Sequence, residues 1–298
     1  MSRAKFYSRI ITDETLLENK QHGNKAFPLQ YYYDDIWDFD FHCVDWHWHH
    51  ELEYVYVQSG QAICFAGEEK MTVPAGYGFL INSRVIHRYE AGESAIIPNL
   101  VYSPHLLAAE GSLIWQKYFH PFMANGPRCL LFNPTIPWQR MCLQQMLEVF
   151  DEQEKQKSDE INTVSLLFSF WNGIFQHWHG ETNAEENTSG RINQVRLQIM
   201  MQYIQEHYRE NICLENIASA VHIGKSTALE IFSRGIRQSP IAYLIQYRLK
   251  QAALLLSSTE KKIAQIAEET GFESSTYFCR KFKNLYGITP NDYRKSRR

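Results

Sequence analysis

The stretch IAQIAEETGFESSTYFCRKFKNLYGITPNDY, Ile263 to Tyr293, decides how this chain is organised. Its alanine, glycine and aromatic punctuation is what two short helices crossed at a tight turn require. A looser copy, IASAVHIGKSTALEIFSRGIRQSPIAY, runs from Ile217 to Tyr243. Ala218 pairs with Ala267 at an offset of 49, whereas Phe232 pairs with Phe282, Pro240 with Pro290 and Tyr243 with Tyr293 at 50. One inserted residue in the second copy accounts for the change. Four anchors in order indicate a duplicated helical unit.

Charge divides the chain in the same place. Residues 191 to 298 hold 17 Lys+Arg against 9 Asp+Glu, and the preceding 190 hold 13 against 24. The overall net charge of -3 therefore hides a basic module on an acidic body, the balance of a nucleic-acid binder whose other half does something else. A solvated basic face without a partner is the plainer alternative. At 298 residues and 44% apolar content the chain suits two globular domains. No apolar run is long enough for a membrane span, and MSRAKFYSRIITDE has no signal-peptide core, so a cytoplasmic protein without membrane partners is expected. The cysteines (Cys43, Cys64, Cys129, Cys142, Cys213, Cys279) lack framework or CxxC spacing, which favours reduced thiols.

Residues 1 to about 35 carry no readable pattern. From Trp37 to about Val101, short alternating runs (LEYVYVQ, AICFAG, EKMTVPAG, YGFLIN) broken by Gly and Pro predict antiparallel strands in a small barrel or sandwich. Within them lies WHWHHELEYVYVQSG. His47 and His49 are two apart and Glu53 four further on, so on strands all three share a face. With His87 from a neighbouring strand they would form a three-nitrogen, one-carboxylate site for a divalent transition metal. The spacing of His47, His49, Glu53 and Gly60 resembles the first motif of the cupin superfamily. Phe41 stands where that motif has its leading glycine, and Pro74, Gly76 and His87 meet the second motif loosely. Sensor domains of this kind retain such clusters without a metal, and the reading adopted is that no cofactor is held. His47, His49, Glu53 and His87 are instead assigned, with Trp37, Trp46 and Trp48, to a small-molecule pocket whose aromatics would stack on a sugar ring. Strand aromatics that only fill a core are the alternative.

After Pro137 the period becomes helical. Met141, Gln145, Leu147 and Phe150 fall at helical spacing, and in the next helix Leu166, Phe170, Ile174 and Phe175 share a side that Leu167 and Trp171 widen. A stripe broader than one face suggests contact with the barrel and with a second copy, hence a homodimer; packing within the monomer is the alternative. GETNAEENTSG, Gly180 to Gly190, has no apolar anchor and reads as a linker. The expected domains are therefore a sensor at 1–135, a helical dimerisation segment at 136–180, a linker at 181–191 and a helical module at 192–298.

The module begins with Val195, Ile199 and Tyr203 at helical spacing. Between the repeats, Ile241, Leu244, Ile245, Leu249, Ala252, Ala253 and Leu256 line one face of a connector helix. At ~1.5 Å per residue it spans about 24 Å, and with its neighbours it could set two recognition helices about one DNA turn, ~34 Å, apart. Residues 192 to 298 resemble the AraC family of transcription regulators, and IAEETGF followed by YFCRKFKNLYGITPNDYR reproduces its signature almost position for position. The resemblance implies two helix-turn-helix motifs. The first repeat departs from the second: Arg237 stands in place of Gly287, removing an easy left-handed helix stop, and Glu230 in place of Arg280.

Phe278 and Phe282, an i, i+4 pair, should be buried with Ile266, Ala267 and Phe272, which leaves Ser275, Thr276, Cys279, Arg280 and Lys283 outward. By the same logic Ala228 and Phe232 are buried, leaving Lys225, Ser226, Thr227, Glu230 and Arg234. Arg280 is the expected guanine reader, and Lys283 and Lys281 the phosphate contacts; a solvated helix face is the alternative for each. The sequence thus predicts an α+β two-domain protein, a cupin-like antiparallel β-barrel with following helices and an all-α double helix-turn-helix. It would be a non-enzymatic regulator of promoter DNA that senses a small molecule, with carbohydrate as the family-level expectation and RNA polymerase as a further candidate partner. A metal-dependent cupin enzyme fused to a DNA-targeting domain is the rival.

Overall fold

The computed structural model describes residues 10–178, Glu14 excepted, and 184–296, and its contacts form two compact units that part between Arg191 and Ile192. In the first unit, five strands form a sheet in the order β1 (Leu29–Asp35), β8 (Ile96–Tyr102), β3 (Leu52–Tyr56), β6 (Gly78–Ile81), β9 (Cys129–Phe132). The second sheet runs β2 (Cys43–His47), β7 (His87–Glu90), β4 (Gln61–Ala66), β5 (Glu69–Pro74). All named pairings are antiparallel, as the alternating runs required.

Alternation along β3 explains both cores. Val55 points between the sheets, where Val57, Cys64, Phe79, Ile81, Tyr89 and Ile97 meet it. Leu52 and Tyr54 point the other way, with Leu80, Leu100, Tyr102 and Phe132, against α2 (Pro137–Gln153) and α3 (Glu160–His177). A short helix, α1 (His120–Asn125), supplies Phe122 to the same layer. The five-stranded sheet is therefore covered on both faces. Each of the large side chains buried there contributes about 2–3 kcal/mol.

The helices pack differently from the sequence expectation. In α2 the buried face is Cys142, Leu143, Met146, Val149 and Phe150, whereas Met141 is 64% exposed. In α3 Leu167, Phe170, Trp171 and Ile174 are buried in the layer formed with α2 and the sheet. The broad stripe thus finds its partners inside the chain. Residues 184–191, read as linker, begin a helix, α4 (Ala184–His207); residues 179–183 lie outside the described residues.

The second unit continues with α5 (Leu214–Ser219), α6 (Lys225–Ile236), α7 (Pro240–Ser258), α8 (Ile263–Glu269), α9 (Ser275–Tyr286) and α10 (Pro290–Ser296). Leu197, Met200, Met201 and Ile204 form the buried face of α4, while Val195 and Ile199 are exposed. The reason is tertiary: Leu197 sits over Gly235 so closely that a Cβ there would lie 2.4 Å from Leu197 Cδ2, and Gln205 donates to the Tyr243 hydroxyl at 2.7 Å. α7 is the expected connector, burying Leu244, Leu249, Ala252, Ala253 and Leu256. Its 19 residues span about 28 Å. The inserted residue falls before α9, between Ala267 and Ser275, because α6 and α9 are both 12 residues long.

Candidate functional site

A β-bulge builds the barrel site. In the β2–β7 ladder Val44 pairs with Tyr89 and His47 with His87, so three steps on β2 face two on β7. Simple alternation from inward-facing Val44 would bring Trp46 in and turn His47 out. The extra residue reverses this and aims His47 between the sheets. On β7, His87 and Tyr89 share the inner face, and Glu53 approaches from β3 of the opposite sheet. His49 comes from the crossover between β2 and β3.

The four expected ligands do converge, with one donor atom from each lying within 4.8 Å of the others. All are buried, at 3, 3, 5 and 0% exposure for His47, His49, Glu53 and His87. Each imidazole Nδ1 faces a backbone carbonyl: His47 that of Asp45 at 2.8 Å, His49 that of Glu51 at 3.2 Å, His87 that of Val85 at 2.8 Å. A carbonyl only accepts, so each Nδ1 carries the hydrogen and each neutral ring presents a bare Nε2 to the interior. Glu53 Oε2 lies 3.2 Å from His49 Nε2, 3.0 Å from His87 Nε2, and accepts from the Tyr89 hydroxyl at 2.9 Å.

Bare nitrogens facing a carboxylate repel it unless a proton or a cation lies between. His87 Nε2 is buried with no hydrogen-bond partner among the described residues. Burial would raise the Glu53 carboxyl, yet the hydrogen bond with His49 and the nearness of the His87 ring hold it well below the usual range. Burial opposes charging of His49, but the hydrogen bond and charge of Glu53 raise it. Burial and then the charge of His87 push His47 down to about 3. The donor set has the chemistry for a divalent transition cation, and oriented Nδ1–H groups are the usual outer support; bonds of ~2.1 Å separate ligand atoms by about 3–4 Å, so the donors would draw closer on binding.

The tryptophans do not join this cluster. Trp46 packs on Phe65 at 5.9 Å, on the face of the four-stranded sheet that alternation sets opposite His87 and Tyr89. Trp48 donates its Nε1–H to Thr15 O at 2.7 Å, and Trp37 stacks on His42 at 4.1 Å. Strand alternation, read together with the histidines, already separates Trp46 and Trp48 from His47 and His49.

Other neighbours were not foreseen. Residues 15–22 fold onto the site: Leu17 bridges Trp48, and Glu18 and His22 form a buried pair at 3.3 Å, with the His22 ring 5.7 Å from that of His49. On the inner face of the five-stranded sheet, Asn99 is in register with Val55 and with Tyr32, and its Nδ2 donates to Asp34 at 3.1 Å. Burial raises the Asp34 carboxyl. No sequence signal marked these residues, which adjoin only because the strands pair.

In the second unit, Ala228 and Phe232 of α6 and Phe278 and Phe282 of α9 are buried as expected. Lys225, Ser226, Thr227, Glu230 and Arg234 are exposed on α6, and Ser275, Thr276, Arg280 and Lys283 on α9, with Cys279 half-buried. Lys225 pairs with Glu215, and Arg234 with Glu230 at 2.8 Å. Arg280 and Lys281 lie against the Tyr277 ring. Arg237 ends α6 in the left-handed region at φ 57, as Gly287 ends α9 at φ 74, so the stop is made without glycine.

Two family models match: the AraC-like ligand binding domain over residues 35–171 and a helix-turn-helix domain over residues 217–296. The chain belongs to the AraC family of transcription regulators. Among its relatives is the HTH-type transcriptional regulator YdeC of Bacillus subtilis (strain 168), 28% identical over 96% of this chain and 98% of that protein. The melibiose operon regulatory protein of Escherichia coli (strain K12) is 27% identical over 84% and 83%. A transcriptional regulator from Chromobacterium violaceum with an AraC-type DNA-binding domain is the subject of a crystal structure; it is 28% identical and covers 35% of this chain and 93% of that one, with a TM-score of 0.34. As an AraC-type regulator the chain combines a ligand-binding barrel with a DNA-binding helical module. No helix among the described residues is long and apolar enough to cross a membrane.

Proposed function

We propose that this regulator is a cytoplasmic homodimer that binds promoter DNA through Lys225, Ser226, Thr227, Glu230 and Arg234 of α6 and Ser275, Thr276, Cys279, Arg280 and Lys283 of α9, and that its barrel senses a small polyhydroxylated molecule. The observation that carries the reading is the pair of equal-length helices with matched buried positions at Ala228 and Phe278 and at Phe232 and Phe282, and with mainly polar outer faces. Three things support a carbohydrate effector: the inward polar row Tyr32, Asp34 and Asn99, the adjoining His47, His49, Glu53 and His87, and a relative named for the melibiose operon. Trp37, Trp46 and Trp48 have no part in it as stacking platforms. Exposed Met141, Ile161 and Phe168 on the helix pair support the second copy, and RNA polymerase is a partner where the bound site abuts a promoter. The domain limits proposed are a sensor unit through Arg191 and a DNA-binding unit from Ile192.

The test is fluorescence anisotropy of the full chain on selected duplexes at fixed salt, with and without candidate sugars. A regulator prefers its sites over unrelated duplex by about a thousandfold or more, and its cognate effector shifts that affinity. Equal affinity for all sequences would overturn the reading, and light scattering that gives a single-chain mass at micromolar concentration would remove the dimer.

The bare Nε2 atoms favour a second reading of the barrel, in which His47, His49, Glu53 and His87 hold a divalent transition cation. Bound there, the ion supplies a Lewis-acidic point for oxygen donors of an effector. The chain's own part is to fix the three rings through their Nδ1–H bonds and to keep Glu53 ionised. Metal analysis of the purified protein, with melting before and after chelation, tests this. Less than a tenth of an equivalent of iron, manganese, nickel or zinc, with no shift on adding them, refutes it, and with it the rival metal-dependent enzyme.

A further inference from the structure

The outward positions of the two recognition helices can be compared one for one, because α6 and α9 start and end 50 residues apart. Ser226, Leu229, Glu230, Ser233 and Arg234 of α6 occupy the places of Thr276, Cys279, Arg280, Lys283 and Asn284 of α9. Leu229 stands out, since it is 41% exposed on a helix whose other apolar side chains, Ala228, Ile231, Phe232 and Ile236, are all buried. Its neighbour on that face is Glu230, whose carboxylate is held by Arg234 at 2.8 Å. The other cation at the start of α6, Lys225, is paired with Glu215. On α9, by contrast, no acid lies within ion-pair distance of Arg280 or Lys283 among the described residues.

From this comparison we propose that the two motifs read opposite base chemistries, and that Leu229 and Glu230 determine the specificity of the first. Leu229 packs on a thymine methyl, and Glu230 accepts a hydrogen bond from the exocyclic amine of a neighbouring cytosine; α9 reads guanine through Arg280. This rests on α6 and α9 facing the major groove, as proposed above. A carboxylate cannot donate to guanine O6 or N7, and an aliphatic side chain gains only from a methyl, so the pair selects pyrimidine edges. Arg234 cancels most of the repulsion between Glu230 and the phosphates and keeps the acceptor in one orientation. With its two cations already paired to acids, α6 adds little to phosphate attraction. The first half-site is then recognised by fit more than by charge, and the second by both.

The test uses the full-length protein. Sites are selected from a randomised duplex pool, and affinities are measured by anisotropy for wild type, Leu229→Ala, Glu230→Ala and Arg280→Ala. The substituted side chains of α6 are exposed, so unchanged melting certifies the fold. In the wild type, one half-site should show a dT and a dC whose replacement weakens binding, the dC by about tenfold. Exchanging that thymine for uracil, which removes only the methyl, should cost about fourfold. Glu230→Ala should abolish the dC preference and Leu229→Ala the thymine–uracil difference, each without altering the guanine preference of the other half-site, which only Arg280→Ala should relax. A Glu230→Ala protein that keeps the dC preference overturns the proposal while leaving sequence-specific binding intact. Absence of any selected sequence overturns both.

Discussion

Tyr54 and Tyr102 are both fully buried in the layer between the five-stranded sheet and the helices, but their hydroxyls differ in one respect. The Tyr54 hydroxyl has no hydrogen-bond partner among the described residues, and it presses on Gly78, where a Cβ would lie 2.3 Å from it. The Tyr102 hydroxyl accepts from Trp171 Nε1 at 2.9 Å. Leaving a buried polar group unpaired costs about 1–3 kcal/mol. Tyr54→Phe removes such a group, and the small void it leaves takes back part of the gain, so a net stabilisation of about 1 kcal/mol is expected. Tyr102→Phe instead strands the indole N–H of Trp171, which is 1% exposed, and should destabilise by about 1–3 kcal/mol. The contrast is what carries the argument, since volume and ring chemistry change identically in both variants. All seven tryptophans lie between Trp37 and Trp178, so indole fluorescence during urea unfolding follows this unit alone. Equal m values keep the comparison one of stability, and about 2–4 °C in Tm per kcal/mol is the expected scale for a unit of this size. If Tyr54→Phe loses as much stability as Tyr102→Phe, the Tyr54 hydroxyl has a partner such as an ordered water and the reasoning fails.

Three further outcomes are expected. Arg237→Gly should raise the melting temperature of the second unit, and Gly287→Ala should lower it. Both residues hold a left-handed conformation, nothing lies within 4 Å of a Cβ at Gly287, and the change is about 0.5–1 kcal/mol each way; a lowered Tm for Arg237→Gly or a raised one for Gly287→Ala in calorimetry would refute this. Lys155, the Asp159 backbone N–H and Asn162 hold the Glu152 carboxyl down at about 2. Its stabilisation is therefore full above the ordinary carboxyl pKa and is lost as pH falls from about 4.5 toward 2. A Glu152→Gln chain should show a shallower acid-side fall in Tm over that window, and identical profiles would count against the network. Arg280→Ala should cost operator affinity by about 1–3 kcal/mol and more than Glu230→Ala does, because removing the acid also frees Arg234 for the phosphates. A reversed order in the binding isotherms would make the first motif dominant.

What the sequence determined by itself was whatever local spacing encodes. The repeat from Ile217 and its partner from Ile263 and the alternation of β3 follow from period 2 or period 3.6, whereas His47, His49 and Glu53 meet only because the chain crosses from one sheet to the other between them. Tertiary structure decided the rest. Whether His47 or Trp46 entered the barrel depended on one extra residue opposite His87 and Tyr89, which no single-strand pattern records. Val195 and Ile199 satisfied the helical period of α4 as well as Leu197 and Met201 did, and the close approach of Leu197 to Gly235 chose between them. Glu18, His22, Asp34 and Asn99 joined the site through strand pairing across long sequence separations. Side-chain periodicity fixes which residues share a face; only the packing of one element on another fixes which face is turned inward.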